Sequence, residues 1–201
     1  MPDRPIIFSA LMVRALLDGR KTQTRRLLKP QHDSKGRGFL DSKLPYATGD
    51  RLWVREAWSG DYDMRAIKPQ DRFGPARQPI WYWADTKRDC GQWERPRSPI
   101  HMPRWASRIT LTVTDVRVQR VQEISEADAW AEGCKPGEMN DRGEPFPDEE
   151  PHPKGGTIGW DCARDWYSDL WNTLHGTGAW DANPWVAALA FTVRKGNIDH
   201  G

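Results

Sequence analysis

The residues of this 201-residue chain best suited to chemistry fall in a few short stretches. Arg25 and Arg26 stand side by side, and a guanidinium presents a planar fork of donors that grips a phosphate or a base edge. A solvated strand face accounts for Arg25 equally well. Trp53, Trp58 and Trp105 offer flat surfaces on which a base can stack, although core packing is the simpler account of any one of them. Arg55 and Glu56 are neighbours in a strand-like segment, so they point to opposite faces. Whichever faces inward needs a partner, and Glu56 is a candidate general acid or base. Glu132 precedes Gly133 at the end of a short helical pattern, where negative charge opposes the helix dipole. That hints at a duty beyond solvation. His101, His152 and His175 and the three cysteines, Cys90, Cys134 and Cys162, lack ligand spacing, so no metal centre is expected.

The elements that must position these residues are legible in outline. Ile6 to Phe8 reads as an entry strand. Ser9 then caps a helix over Ala10 to Leu17, with Leu11, Val13, Leu16 and Leu17 apolar and Arg14 and Asp18 outward. Gly19 ends it. A turn leads into a strand over Thr24 to Leu28. Lys29 to Thr48 reads as a loop. Arg51 to Trp58 alternates, with Leu52, Val54 and Glu56 on one face and Trp53, Arg55 and Ala57 on the other, and reads as one strand. Ser107 to Val121 is the clearest strand. Ser125 caps a helix over Glu126 to Glu132. Asp161 to Leu174 is helical, with Trp166, Leu170 and Leu174 spaced by four. Pro184 to Arg194 closes the chain as a strand. Ser59 to Pro99 and Cys134 to Gly159 are polar and rich in Pro or Gly, and read as two long loop insertions.

Composition bounds the answer. The length suits one domain, residues 1–201, with insertions at about 59–99 and 134–159. Hydrophobic residues make up 37% and charged ones 29%, with a mean hydropathy of −0.81. Twelve tryptophans against five Phe and four Tyr exceed what a modest core can hide, so some are expected at a cleft or surface. The net charge of +2 excludes a polycation, but 21 of the 30 basic residues are arginine. Composition bias in the source accounts for that excess equally well. No segment approaches a membrane span, and the cytoplasm is expected. No GxGxxG or P-loop is present. Short strands with few helices fit an α+β fold based on a small barrel.

Gly19 to Arg26, GRKTQTRR, resembles the signature segment of the ASCH family, a branch of the PUA-like superfamily, in its Gly19, Lys21 and Arg26. Thr24 stands where the general pattern often has an acid. A branch of small bacterial N4-acetylcytidine amidohydrolases has Thr there, and its segment is similar nearly residue for residue. Ile124 to Glu132 resembles the short helix carrying that branch's catalytic glutamate, which falls at Glu132. RLWVREAW, HMPRWASRI and DANPWVAALAF are similar to the longer ASCH proteins common in phages and prophages. The likeness covers the barrel elements, about half of the chain, and leaves out both insertions.

The resemblance implies a PUA-like β-barrel, and a catalytic group of Lys21, Thr24 and Glu132. Thr24 would be the nucleophile, a weak one that needs a neighbouring base. Lys21 serves as that base only if desolvation lowers its pKa. Glu132 would orient Lys21 or pass a proton to the leaving amine. Arg26, Trp53, Arg55, Glu56, Trp58 and Trp105 would bind substrate. The expected partner is RNA or a modified nucleoside, with no cofactor. The expected activity is deacylation of N4-acylated cytidine. A non-catalytic RNA or modified-base binding module and a ribonuclease are the alternatives.

Overall fold

The structure, a computed structural model, describes residues 3–28, 44–60, 80–85, 93–139, 145–148, 150–151 and 157–200. Its strands are β1 (Asp3–Ile7), β2 (Gln23–Leu27), β3 (Arg51–Arg55), β4 (Trp58–Gly60), β5 (Ile80–Tyr82), β6 (Ile109–Arg120), β7 (Pro136–Met139), β8 (Pro145–Pro147), β9 (Glu150–Pro151), β10 (Thr157–Ile158) and β11 (Trp185–Lys195). Among the described residues the helices are α1 (Ala10–Leu17), α2 (Glu126–Ala131) and α3 (Ala163–His175), with three short 3-10 turns. The class is α+β, as expected. One five-stranded sheet has the order β1-β3-β6-β11-β2, and three two-stranded sheets accompany it. A closed barrel needs its first and last strands hydrogen-bonded to each other. Among the described residues no such closure is found.

The chain forms two compact units. One comprises Met1–Leu17, Gly49–Thr112 and Thr192–Gly201, the other Asp18–Thr48 and Val113–Phe191. In the first, β1 runs parallel to β3 and β3 antiparallel to the start of β6, with Leu52 opposite Leu111. Leu52, Val54, Ile109 and Leu111 are fully buried, each stabilising the fold by roughly 1.5–3 kcal/mol. α1 begins at Ser9, whose hydroxyl accepts from the Met12 N–H at 3.4 Å. It buries Met12, Val13, Ala15 and Leu16. Leu11, expected on that stripe, is 50% exposed. At about 100° per residue it lies on the flank of a stripe centred on Met12 and Leu16.

Three further expectations need correction. Arg51 to Trp58 is two strands, because the chain leaves the ladder at Glu56. The Glu56 N–H meets the Met102 sulfur at 3.3 Å, and β4 then pairs with β5. The first insertion is thus partly built in, since its apolar patch supplies β5. The second, read as a loop, holds the hairpins β7–β8 and β9–β10. Lys29 to Lys43 and most of Asp61 to Gln92 lie outside the described residues.

In the second unit β2 runs antiparallel to β11, with Thr24 opposite Leu189 and Arg26 opposite Ala187. α2 starts at Ser125, whose hydroxyl accepts from the Asp128 N–H at 3.1 Å. Its first residue reaches α3. The Glu126 carboxylate accepts from the Ala163 N–H at 2.7 Å and the Arg164 N–H at 3.1 Å, satisfying N–H groups that a helix start leaves unpaired. α3 buries Ala163, Trp166, Tyr167 and Trp171. Leu174 lies on the same stripe but in the last turn, where it is 58% exposed.

Candidate functional site

Within the second unit, β2 and α2 are joined at their ends. Gly19 takes φ +77°, the left-handed conformation that turns the chain away from α1. The Thr22 N–H then donates to the Ala131 carbonyl at 2.8 Å, which fixes the entry to β2 against the last turn of α2. Asp128 and Glu132 are four residues apart and so share one face of the helix. Gln23 and Arg25, two apart, share one face of the strand.

Those faces meet. Gln23 Nε2 donates to Asp128 Oδ1 at 2.8 Å. The Arg25 guanidinium spans both carboxylates, reaching Asp128 Oδ2 and Glu132 Oε1 at 2.9 Å each. Lys21 Nζ donates to Glu132 Oε2 and to the Glu132 carbonyl, both at 2.7 Å. Arg20 donates to the Gly133 carbonyl at 2.6 Å. Two cationic side chains therefore cap the carbonyl end of α2, where positive charge is favoured. Lys21 and Arg25 together offset the Glu132 carboxylate that the dipole disfavours there. Arg117, on the solvent side, adds a contact to Asp128 at 3.1 Å.

Nearly all of this is shut from water. The side chains of Lys21, Arg25 and Glu132 are 2%, 0% and 3% exposed. Burial pushes the Lys21 ammonium below its ordinary pKa; Glu132 pulls it back up, while Arg26 and Arg25 push it further down. Burial pushes the Asp128 carboxyl up, but the Gln23 hydrogen bond, Arg25 and Arg117 outweigh it and leave the group below its usual range. Burial also lowers Arg26, against the pull of Tyr46, Glu132 and Tyr167.

The amine and the carboxylate expected to act together do meet, from stretches 111 residues apart. Thr24 is placed differently. It is 5% exposed on β2, and alternation sets it on the face opposite Gln23 and Arg25. Among the described residues its hydroxyl makes no hydrogen bond to Lys21, Glu132 or any other group.

No known family model matches the chain, and no curated protein matches it. Among solved structures it is similar to protein EF3133 from Enterococcus faecalis V583, of family model DUF984. The two are 13% identical with a TM-score of 0.45, over 99% of this chain and 80% of that one. At that identity no activity is carried from one to the other.

The other expected binding residues, except Arg26, belong to the first unit and form a cluster of their own. Trp53 is 6% exposed, and the Arg55 guanidinium carbon lies 4.4 Å from its ring centroid. Trp58 is 2% exposed and packs with Met102 and Ala106, with Trp105 edge-on at 6.5 Å. Trp53 and Trp58 are core residues that offer no open face to a base, so the expected stacking role is corrected for both. Met102, Ala106, Ile80 and Tyr82 pack around Trp58, and Arg55 lies over Trp53. Trp105 stays half-buried. Glu56 is 1% exposed and receives Arg108 Nε and one terminal nitrogen at 2.9 and 3.0 Å. Burial raises its pKa, against Arg108. Arg108 also grips Asp85 and lies 3.9 Å from the Tyr82 ring centroid.

Among the described residues no three His, Cys, Asp or Glu side chains are grouped to hold a metal, and no helix is long and apolar enough to cross a membrane. His152 and Cys90 lie outside the described residues. Sequence reasoning missed Asp128 and Gln23 as partners of the arginines. The Asp128–Glu132 spacing on a recognised helix was the signal that could have found them. Tyr167, buried beside Arg25, was missed as well. It sits between Trp166 and the stripe read at Leu170.

Proposed function

We propose that the protein handles RNA or a modified nucleoside, and that its second unit carries an ASCH-type amidohydrolase centre that removes the acyl group from the exocyclic amine of an N4-acylated cytidine. One observation carries the reading: Lys21 and Glu132 meet at 2.7 Å with both side chains buried. A lysine acts as a base only in its neutral form, and desolvation favours that form. In this reading Lys21 takes the Thr24 proton as the hydroxyl attacks the amide carbon, and Glu132 holds Lys21 in register. The protonated Lys21 then returns the proton to the leaving amine, and water cleaves the resulting ester. Arg26, half-buried on β2 with Tyr46 and Glu132 among its charge neighbours, is the residue best suited to a polar edge of the substrate.

The test is incubation with N4-acetylcytidine, following cytidine by chromatography. Turnover that is lost in Thr24→Ala, with the fold intact by circular dichroism, is the expected result. No wild-type turnover, or unchanged turnover in Thr24→Ala, refutes the proposal. The unbonded Thr24 hydroxyl, on the strand face away from Arg25, favours a second reading: the buried charges only anchor α2, and the protein is an RNA-binding module. In that case single-stranded RNA quenches tryptophan fluorescence, affinity falls as salt rises, and Thr24→Ala changes nothing.

A further inference from the structure

The second insertion builds a cavity that the chemistry at Lys21 and Glu132 does not use. It lies within the second unit, between the hairpin β7–β8 and the run of chain into α3. Gly137, Glu138, Phe146, Asp148, Trp160 and Asp161 line a volume of about 460 Å³, which is the size of a small-molecule site. Its walls are fastened from behind. The Asp148 N–H donates to the Lys135 carbonyl at 2.7 Å, and Lys135 Nζ pairs with the Asp148 carboxylate. Gly137 lets the two strands of the hairpin approach, since a Cβ there would lie 2.9 Å from the Asp148 Cα. On the other side, Trp160 Nε1 donates to Asp169 Oδ2 at 2.6 Å, which ties the indole to α3.

The lining joins aromatic surface to negative charge. Phe146 is 39% exposed and Trp160 half-buried, and among the described residues neither ring packs on another. With them stand three carboxylates and, among the described residues, no basic group. Lys135 offsets Asp148 from outside the lining. Glu138 and Asp161 make no side-chain hydrogen bond or ion pair among the described residues. Asp161 stands just ahead of α3, but the first N–H groups of that helix are taken by Glu126, so Asp161 is not spent as a cap. The acids are spread around the cavity and are not grouped to hold a metal ion. Spread charge beside ring faces suits a cation that is itself flat and delocalised, because a ring attracts positive charge over its face and a carboxylate at its edge. We propose that this cavity binds a small organic cation, a nitrogen heteroaromatic ring with a fixed positive charge. Its plane rests on Phe146 and Trp160, and its charge lies beside Glu138 and Asp161.

No residue of this cavity belongs to the proposed amidohydrolase centre, so turnover of N4-acetylcytidine decides nothing about it. Isothermal titration calorimetry of the full chain compares two probes: nicotinamide, and nicotinamide quaternised by a methyl group on its ring nitrogen. The rings match and the charge differs. The cation is expected to bind more tightly than neutral nicotinamide, and its affinity to fall as salt is raised. Trp160→Leu is expected to weaken the cation roughly 2–5-fold, the worth of an exposed cation–ring contact. Glu138→Gln is expected to weaken it by a comparable factor at low salt, and by less when salt is added. Glu138 is exposed, so this variant keeps the wild-type melting midpoint and separates loss of charge from loss of fold. Equal affinity for the two probes, no heat with either, or wild-type affinity in either variant overturns the assignment.

Discussion

Glu132→Gln is the most informative single change in the second unit. It preserves shape and removes one buried negative charge that faces two cations, Lys21 at 2.7 Å and Arg25 at 2.9 Å. Removing one partner of a buried ion pair costs about 3–5 kcal/mol. Two features place the loss toward the lower end. Arg25 keeps Asp128 at 2.9 Å, and Lys21 can shed its proton, as burial already favours. For a chain of this size a cost of about 3 kcal/mol lowers the melting temperature by roughly 6–12 °C. The pH dependence follows from the same group. Lys21 has a folded-state pKa below its ordinary value of 10.5. Between the two values the unfolded chain binds more protons, so stability rises with pH in that window. Without Glu132 pulling the amine up, the window widens downward. The penalty of Glu132→Gln is therefore largest near neutrality and shrinks as pH approaches 10.5. Calorimetric melts of both proteins from pH 6 to 10 measure it. A midpoint within about 1 °C of the wild type at pH 7, or a penalty that does not shrink with pH, refutes the reasoning.

Two further outcomes test the elements around the site. The Asp128 carboxyl is held below its ordinary 3.8, so it contributes stability that is present above that value and is lost as pH falls through the folded one. Asp128→Asn should therefore melt lower at pH 6, and its deficit against the wild type should close in acid denaturation below 3.8. A deficit independent of pH would show that Asp128 acts by packing alone. Gly19 has φ +77° and nothing within 4 Å of an added Cβ. Gly19→Ala should cost about 1–2 kcal/mol from backbone conformation alone, read from the urea midpoint, and equal stability would mean that the turn is not left-handed in solution.

Much of the framework was legible because it rests on local signals. α1, α2, β6 and β11 follow from periodicity, and their ends from Ser9, Ser125, Gly19 and Gly133. What stayed hidden depends on tertiary partners. Glu56 alternates as a strand residue, yet the chain leaves the ladder there because Met102 and Arg108 capture it from 46 and 52 residues away. Leu11 and Leu174 fit their helical stripes but lie where the packed surface does not reach. The tryptophan surplus suggested an aromatic surface. Instead all twelve are buried or half-buried, several of them beside arginines, as Trp53 and Trp58 are. An arginine above a ring covers it while keeping its own charge hydrated. Arginine and tryptophan, read separately as nucleic-acid signals, thus partly account for each other within the fold.

The convergence of Lys21 and Glu132 came from a motif resemblance and not from spacing, and the structure gives it a physical setting. α2 has six residues, too few for a helix to persist in water on its own. Its position is imposed by neighbours in the second unit: Thr22 on its last turn, Arg20 and Lys21 on its carbonyl end, Arg25 and Gln23 on its acidic face. Glu126 ties its first turn to α3. The carboxylate of Glu132 is therefore located by strand and loop residues more than by its own helix. A site built this way resists drift, because moving Glu132 would break the contacts of Lys21 and Arg25 together. It also explains why a costly buried charge sits at the disfavoured end of a helix. The same two cations that compensate Glu132 fasten α2 to β2, so the charge and the placement of the helix stand or fall as one.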